Sequence, residues 1–393
     1  MKSSTVKENW NYPTTIWFGP GRVHDLPQAC RHCGIERPLL VTDPGLTGLP
    51  PLAAAEKVLF DANIPTHVFS DIKPNPVGAN IASGVSAFRA GKHDGVIALG
   101  GGSAIDAAKA IAFQSGQSLE LWSFEDADDN YLNANSALIA PIIALPTTSG
   151  TGAEVGRVAV ILNEDEQRKV LIFHPKMMPQ VVILDPELTV GLPKHITAAT
   201  GMDALAHCLE AYCAPGFHPM ADGIAVQGMQ LIKQWLPLAY QDGNNITARG
   251  HMQAAASMGA TAFQKGLGAI HALSHPVGAL YDSHHGLTNA VFMPYVFAFN
   301  RQAISERLPA LAAGLNLPAH HQDVAFESLQ QWILSLRKLL KIPHTLTDMG
   351  LDDRQIDRVC AMAARDPTAA TNPIALNENN LRGIYLAALN GDL

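Results

Sequence analysis

A chain of 393 residues exceeds what one hydrophobic core comfortably organises, so two domains are expected. Apolar residues make up 47% and charged residues 16%, which excludes a disordered chain. A net charge of −8, with no block rich in Lys or Arg, argues against nucleic acid or an anionic membrane as partner. The N-terminal segment MKSSTVKENWNYPTT is polar and lacks the apolar core of a secretory signal. The longest apolar run, residues 137–145, is interrupted by Pro141 and too short to span a bilayer. Five cysteines, an odd number, do not suit a disulfide framework. Cys30 and Cys33 form a C-x2-C pair, but no second pair follows at zinc-finger spacing. A reducing, cytoplasmic setting is the expectation.

The first half alternates short β-rich runs with helical patterns. Strands are expected at residues 38–42 (PLLVT), 67–70, 95–100 (GVIALG), 141–145 and 181–184 (VVIL). Between the second and third, Ile81, Val85 and Phe88 share one helical face. Strands apolar throughout and separated by helices predict a mostly parallel sheet covered on both sides. After about Pro193 Ala, Leu, Met and His dominate, and helices are expected at 197–214, 221–238, 252–263 and 325–340. The turn-rich segment 185–193 (DPELTVGLP) reads as the connection. The expected architecture is therefore an α/β domain over residues 1–190 and an all-helical domain over 191–393, with no internal repeat.

Gly100, Gly101, Gly102 and Ser103 follow a buried strand and open a helix. Such a loop lets backbone approach a ligand closely, and the helix N-terminus offers free N–H groups, a combination suited to a pyrophosphate. The spacing is neither G-x-G-x-x-G nor a Walker A, and a tight turn without a ligand stands as the alternative. A second loop, residues 146–154 (PTTSGTGAE), puts the hydroxyls of Thr147, Thr148, Ser149 and Thr151 at the end of another strand. Ligands of open α/β sheets gather at such strand ends, although a solvated polar loop reads the same way. Asp43 ends the first strand, where a carboxylate can bind an adenosine ribose or simply serve the turn before Pro44. Gly19–Gly21 (GPG) reads as a turn.

In the helical half, Asp203 and His207 lie four apart, as do His271 and His275, and His284 and His285 follow. A spacing of four puts both side chains on one helical face, so both can reach one ion. Five histidines and one aspartate at these spacings predict a metal site. A ligand set of His and Asp suits Fe(II), Zn(II) or another divalent first-row metal.

The segments GGGSAIDAAK, PTTSGTGAEV, LDPELTVGLP, ATGMDALAHCLEAY and GLGAIHALSHPVGALYDSHHG together resemble the iron-containing (group III) alcohol dehydrogenase family, in the family's order and over nearly the whole chain. The resemblance implies an N-terminal α/β dinucleotide-binding domain like that of dehydroquinate synthase and a helical C-terminal domain. By motif position it makes Asp203, His207, His271 and His285 the metal ligands, His275 a proton relay beside them and His284 a neighbour. It places Asp43 at the adenosine ribose of NAD, Asn75 on the adenine side, Gly100, Gly101, Gly102 and Ser103 at the pyrophosphate, and Thr147, Thr148, Thr151 and Lys169 along the cofactor. Two departures stand out: Gly156 takes a position where a hydroxylated residue is common, and AFQKGLG is one residue short.

The resemblance implies reversible hydride transfer between a small primary alcohol, or its aldehyde, and NAD(H), with Fe(II) or Zn(II) bound, in a homo-oligomer, most often a dimer. One rival is an NADH-dependent reductase of an oxo-acid such as maleylacetate, which calls for an arginine near the metal; Arg157 and Arg249 are the arginines to place. Another is a dehydroquinate-synthase-like lyase, which needs a basic pocket that the Lys- and Arg-poor second half does not offer. The third is a metal- or nucleotide-binding module without turnover.

Overall fold

The structure is a computed structural model that describes residues 13–393. Most of the polar N-terminal segment, on which the expectation of no secretory signal rests, lies outside the described residues. The chain divides into two compact units, one of residues 13–197 with 241–257 and one of residues 198–240 with 258–393. The sequence reading drew one boundary after residue 190; residues 241–257 cluster with the α/β unit.

In the α/β unit the strands are β1 (Thr15–Phe18), β2 (Pro38–Val41), β3 (His67–Phe69), β4 (Gly95–Gly100), β5 (Ile142–Pro146), β6 (Val158–Asn163), β7 (Arg168–Phe173) and β8 (Val181–Leu184). The helices between them are α1 (Leu26–Cys33), α2 (Pro50–Asp61), α3 (Gly78–Ala90) and α4 (Gly102–Gln114). Six strands form one sheet in the order β1-β8-β5-β4-β2-β3, every pair parallel. The expected parallel sheet is present, with β4 and β8 at the expected residues.

Alternation along each strand feeds two cores, as the pleat dictates. Leu40, Ile97, Leu99 and Ile143 pack with Leu26 of α1 and Leu59 of α2 on one face. Leu39, Val96, Ala98 and Ala144 pack with Ile81 of α3 and Ile111 of α4 on the other. The sequence reading missed β1, and it missed the antiparallel hairpin of β6 and β7. The carboxyl ends of β2, β4 and β5 lie side by side, which brings the segments after Val41, Gly100 and Pro146 together.

The second half runs in helices: α5 (Lys194–Cys213), α6 (Pro219–Gln241), α7 (Ile246–Ala262), α8 (Ala269–Tyr281), α9 (His285–Ile304), α10 (Leu308–Gly314), α11 (Gln322–Leu339), α12 (Ile356–Ala363) and α13 (Glu378–Asn390). All residues of α8 from Ala269 to Gly278 are buried, so this helix has no solvent face. Its apolar residues Ile270, Leu273 and Val277 stabilise the unit by about 1.5–3 kcal/mol each on the burial scale. Imidazoles on such a helix must find polar partners. No helix among the described residues is long and apolar enough to cross a membrane. The five cysteines are free; burial pushes the Cys30 thiol up to about 12 and the Cys33 thiol up to about 11.

Candidate metal centre and cofactor loops

The histidine cluster lies wholly within the helical unit. Helix α5 presents Asp203 and His207, α8 presents His271, and α9 begins at His285. One ligand atom each from Asp203, His207 and His271 lie within 4.8 Å of one another, and all three residues are buried. Asp203 Oδ1 is 3.9 Å from His207 Nε2, 3.9 Å from His271 Nε2 and 3.8 Å from His285 Nε2. One carboxylate oxygen and three imidazole nitrogens thus converge from three helices. This is a donor set suited to a divalent first-row ion. Gly286 makes the approach of α9 to α5 feasible: a Cβ there would lie 2.5 Å from the Ala199 carbonyl oxygen.

The imidazoles are held by partners that the sequence reading did not name. Glu210, two turns beyond Asp203 on α5, accepts from His271 Nδ1 at 2.6 Å and from the Ile270 backbone N–H at 2.7 Å. With Nδ1 carrying the proton, His271 Nε2 presents its lone pair to the cluster, the arrangement that orients ligating histidines. Burial disfavours the imidazolium of His271, but the hydrogen bond and charge of Glu210, with Asp203 and Asp366, hold its pKa above the ordinary value. His275 Nδ1 pairs with Asp366 at 2.8 Å. Asp366 also accepts from the Thr368 backbone N–H at 2.9 Å and its hydroxyl at 2.6 Å. Burial opposes ionisation of Asp366, but His275 and these bonds hold its pKa below the usual value. The His275 ring stacks on that of His285 at 5.4 Å. His284 caps α9, its Nδ1 accepting from the Leu287 N–H at 3.4 Å.

Asn289, one turn after His285, is the third unnamed partner. It is fully buried, and its Nδ2 lies 2.7 Å from Asp203 Oδ1, 3.1 Å from His271 Nε2 and 3.2 Å from His285 Nε2. A composition-level signal existed for Glu210 alone, since it falls three residues after His207 on the same helical face. Asp366 and Asn289 meet the cluster only through tertiary packing.

In the α/β unit the cofactor candidates gather at the carboxyl ends of β2, β4 and β5. Gly101 stands at the N-cap of α4, and the Thr147 N–H donates to the Gly100 carbonyl at 2.9 Å. The two loops touch at Gly102, where a Cβ would lie 2.5 Å from Thr151 Oγ1. Thr148 flanks Gly101. Asp43 stands at the N-cap position of the short helical turn Pro44–Leu46, and its Oδ2 would lie 3.1 Å from a Cβ built on Gly100. Burial raises the Asp43 pKa, against the lowering effect of the Gly45 and Leu46 N–H groups. Ser103 Oγ donates to the Pro74 carbonyl, which ties the turn containing Asn75 to the start of α4. Lys169 pairs with Leu162 in the β6–β7 hairpin, and the Leu162 N–H donates to the Pro76 carbonyl at 2.8 Å. Asp43, Gly100–Ser103, Thr147, Thr148 and Thr151 therefore come from neighbouring strand ends of this unit, while Lys169 lies in strand β7.

Four residues that support those loops were missed. Lys109 of α4, only 1% exposed, pairs with Asp106 at 2.9 Å and donates to the carbonyls of Ala153 at 3.1 Å and of Val158. Asp106 accepts from the Val160 N–H at 3.1 Å. Buried Glu154 accepts from the Ser257 hydroxyl at 2.6 Å. The D-x-x-K spacing in GGGSAIDAAK was the available sign of the first pair. The two arginines sought for an oxo-acid have partners in this same unit: Arg249 bonds Thr197 Oγ1 at 2.8 Å and the Gly243 carbonyl at 3.0 Å, and Arg157 lies over the Phe173 ring.

Residues 13–186 match the model of the iron-containing alcohol dehydrogenases, and residues 197–389 match that of the C-terminal part of the Fe-containing alcohol dehydrogenase family. The chain is 40% identical to a 4-hydroxybutyrate dehydrogenase of Cupriavidus necator, over 92% of this chain and 94% of that protein. It is 33% identical to an NAD-dependent methanol dehydrogenase of Bacillus methanolicus, over 97% of this chain and all of that one. A solved 1,3-propanediol oxidoreductase superposes with a TM-score of 0.92 at 32% identity, covering 97% of this chain and all of the other.

Proposed function

This chain belongs to the iron-containing alcohol dehydrogenase family and is an alcohol dehydrogenase, and we propose that it transfers hydride reversibly between a short primary alcohol and NAD(H), with a divalent metal bound by Asp203, His207, His271 and His285. The observation that carries the reading is the buried convergence of Asp203, His207 and His271, with Glu210 fixing the tautomer of His271. The donor set fits Fe(II) first and Zn(II) second, as the family's description suggests. When bound, the metal supplies Lewis acidity towards an alcohol oxygen and NAD supplies the hydride acceptor.

The chain's own residues do the rest. Glu210 holds the Nδ1 proton of His271, and Asp366 engages Nδ1 of His275. That leaves His275 Nε2 as the atom to take the alcohol proton, a relay role suited to imidazole. Gly100–Ser103 and the threonines of the adjoining loop supply N–H groups and hydroxyls for the NAD phosphates. The substrate named for the 40%-identical relative makes 4-hydroxybutyrate the first compound to try, with 1,3-propanediol and methanol next. Arg157 and Arg249 are engaged by partners within the α/β unit, so neither supplies the arginine that a maleylacetate reductase in particular would call for. A cytoplasmic homodimer is part of the same reading, and light scattering tests the assembly.

Stripping the protein of metal and restoring Fe(II) anaerobically, or Zn(II), will restore NADH formation from one of these alcohols. Inactivity of the reloaded protein with every alcohol, and with every aldehyde in reverse, overturns the reading. Separately, Gly102→Ala will weaken NAD binding on the order of tenfold, because the new methyl meets Thr151 where the two loops touch. Titration of NADH fluorescence reads this without any substrate.

A further inference from the structure

We propose that the Asn289 side-chain amide competes with the metal for the lone pairs of its ligands, and so sets the affinity of the site below what the ligands alone would give. The proposal rests on the metal reading above. Asn289 is fully buried, one helical turn beyond His285 on α9. Its Nδ2 is within 2.7–3.2 Å of Asp203 Oδ1, His271 Nε2 and His285 Nε2, three of the four atoms assigned to the metal.

Chemistry fixes which end of the amide faces them. The Asp203 carboxylate can only accept, and His271 Nε2 is an acceptor because its Nδ1 proton goes to Glu210. The amide nitrogen, a donor, therefore faces the cluster, with two hydrogens to share among three acceptors. A lone pair engaged by an N–H is not available to a cation. Metal can enter only as these bonds are given up.

The other end of the amide separates this role from that of an ordinary buried asparagine, which is fixed in a core by bonds from both ends. Among the described residues, Asn289 Oδ1 is buried and has no hydrogen-bond partner. The side chain is thus held by the ligand atoms through its nitrogen alone, and nothing at its oxygen resists its displacement when a cation takes those lone pairs. Its donor hydrogens also relieve the mutual repulsion of the clustered acceptors, which favours the metal-free protein over the loaded one.

The test uses the full-length, metal-stripped protein and Zn(II), read by competition with a chromogenic chelator, together with thermal melting of the stripped protein. Asn289→Leu keeps the volume and removes the donor. It is expected to bind Zn(II) about tenfold more tightly than the parent and to melt at a lower temperature when stripped. Zn(II) binding that is unchanged or weaker in the variant overturns the proposal, because the amide would then be neutral or supportive towards the ion. Asn289→Ala gives the same reading should the Leu variant fail to fold. Failure of the parent protein itself to bind any divalent ion would instead overturn the metal reading, so the two failures are distinguishable.

Discussion

Glu210→Gln will weaken metal binding by about 10–100-fold, the usual cost of losing a group that orients a ligating histidine. The carboxylate of Glu210 serves two donors at once, the Ile270 N–H at 2.7 Å and His271 Nδ1 at 2.6 Å. A glutamine offers one oxygen and one NH2 in their place. If the oxygen stays with the backbone N–H, the NH2 group faces Nδ1, and His271 must move its proton to Nε2 to accept from it. That tautomer has no lone pair to give the metal. Chelator competition measures the loss, and His271→Ala provides the floor, with metal-dependent NADH formation abolished. Glu210→Asp, which retains two acceptor oxygens on a shorter stem, is expected to recover part of the affinity. Parental metal affinity in Glu210→Gln would show that the tautomer is set elsewhere.

The parts of this site that could be read in the sequence were those fixed by local periodicity. Asp203 and His207 sit at a spacing of four on one helix, so their shared face follows from helical geometry alone. The same holds for His271 and His275. Their partners follow no such rule: Asp366 reaches His275 across 91 positions and Asn289 reaches Asp203 across 86, distances bridged only by tertiary packing. The sheet shows the same contrast. Strands buried on both faces, such as GVIALG, announce themselves by apolar continuity. The β6 strand VAVILN alternates in burial but not in polarity, because its half-exposed positions carry Val158, Val160 and Leu162. A pattern search therefore sees no period of two there. β1 has only four residues, and neither its first nor its last is buried, so apolar continuity marks it weakly.

Lys109→Met is expected to destabilise the α/β unit by roughly 3–5 kcal/mol, the range for breaking a buried ion pair by removing one partner. Asp106 would lose its counter-charge, and the carbonyls of Ala153 and Val158 would lose their donor. These carbonyls bracket the end of the loop that carries Thr147, Thr148 and Thr151, so NAD affinity should fall together with the melting temperature. The loss has a pH signature through Glu154. Burial already raises the pKa of this carboxyl, while the Ser257 hydrogen bond and the Lys109 charge oppose the rise. Without Lys109 the folded-state pKa climbs further above the unfolded value. The folded protein then retains a proton that the unfolded chain releases, and stability falls as pH rises through the interval between the two values. The gap between parent and variant should therefore be wider at neutral pH than near about pH 5, where both states are closer to protonated. Denaturant melts at the two pH values measure it. A gap independent of pH would mean that Lys109 acts on the loop through its carbonyl bonds and not through the charges of Asp106 and Glu154. Adding Asp106→Asn to Lys109→Met separates the contributions further, because neutralising the orphaned carboxylate should recover stability without restoring NAD affinity.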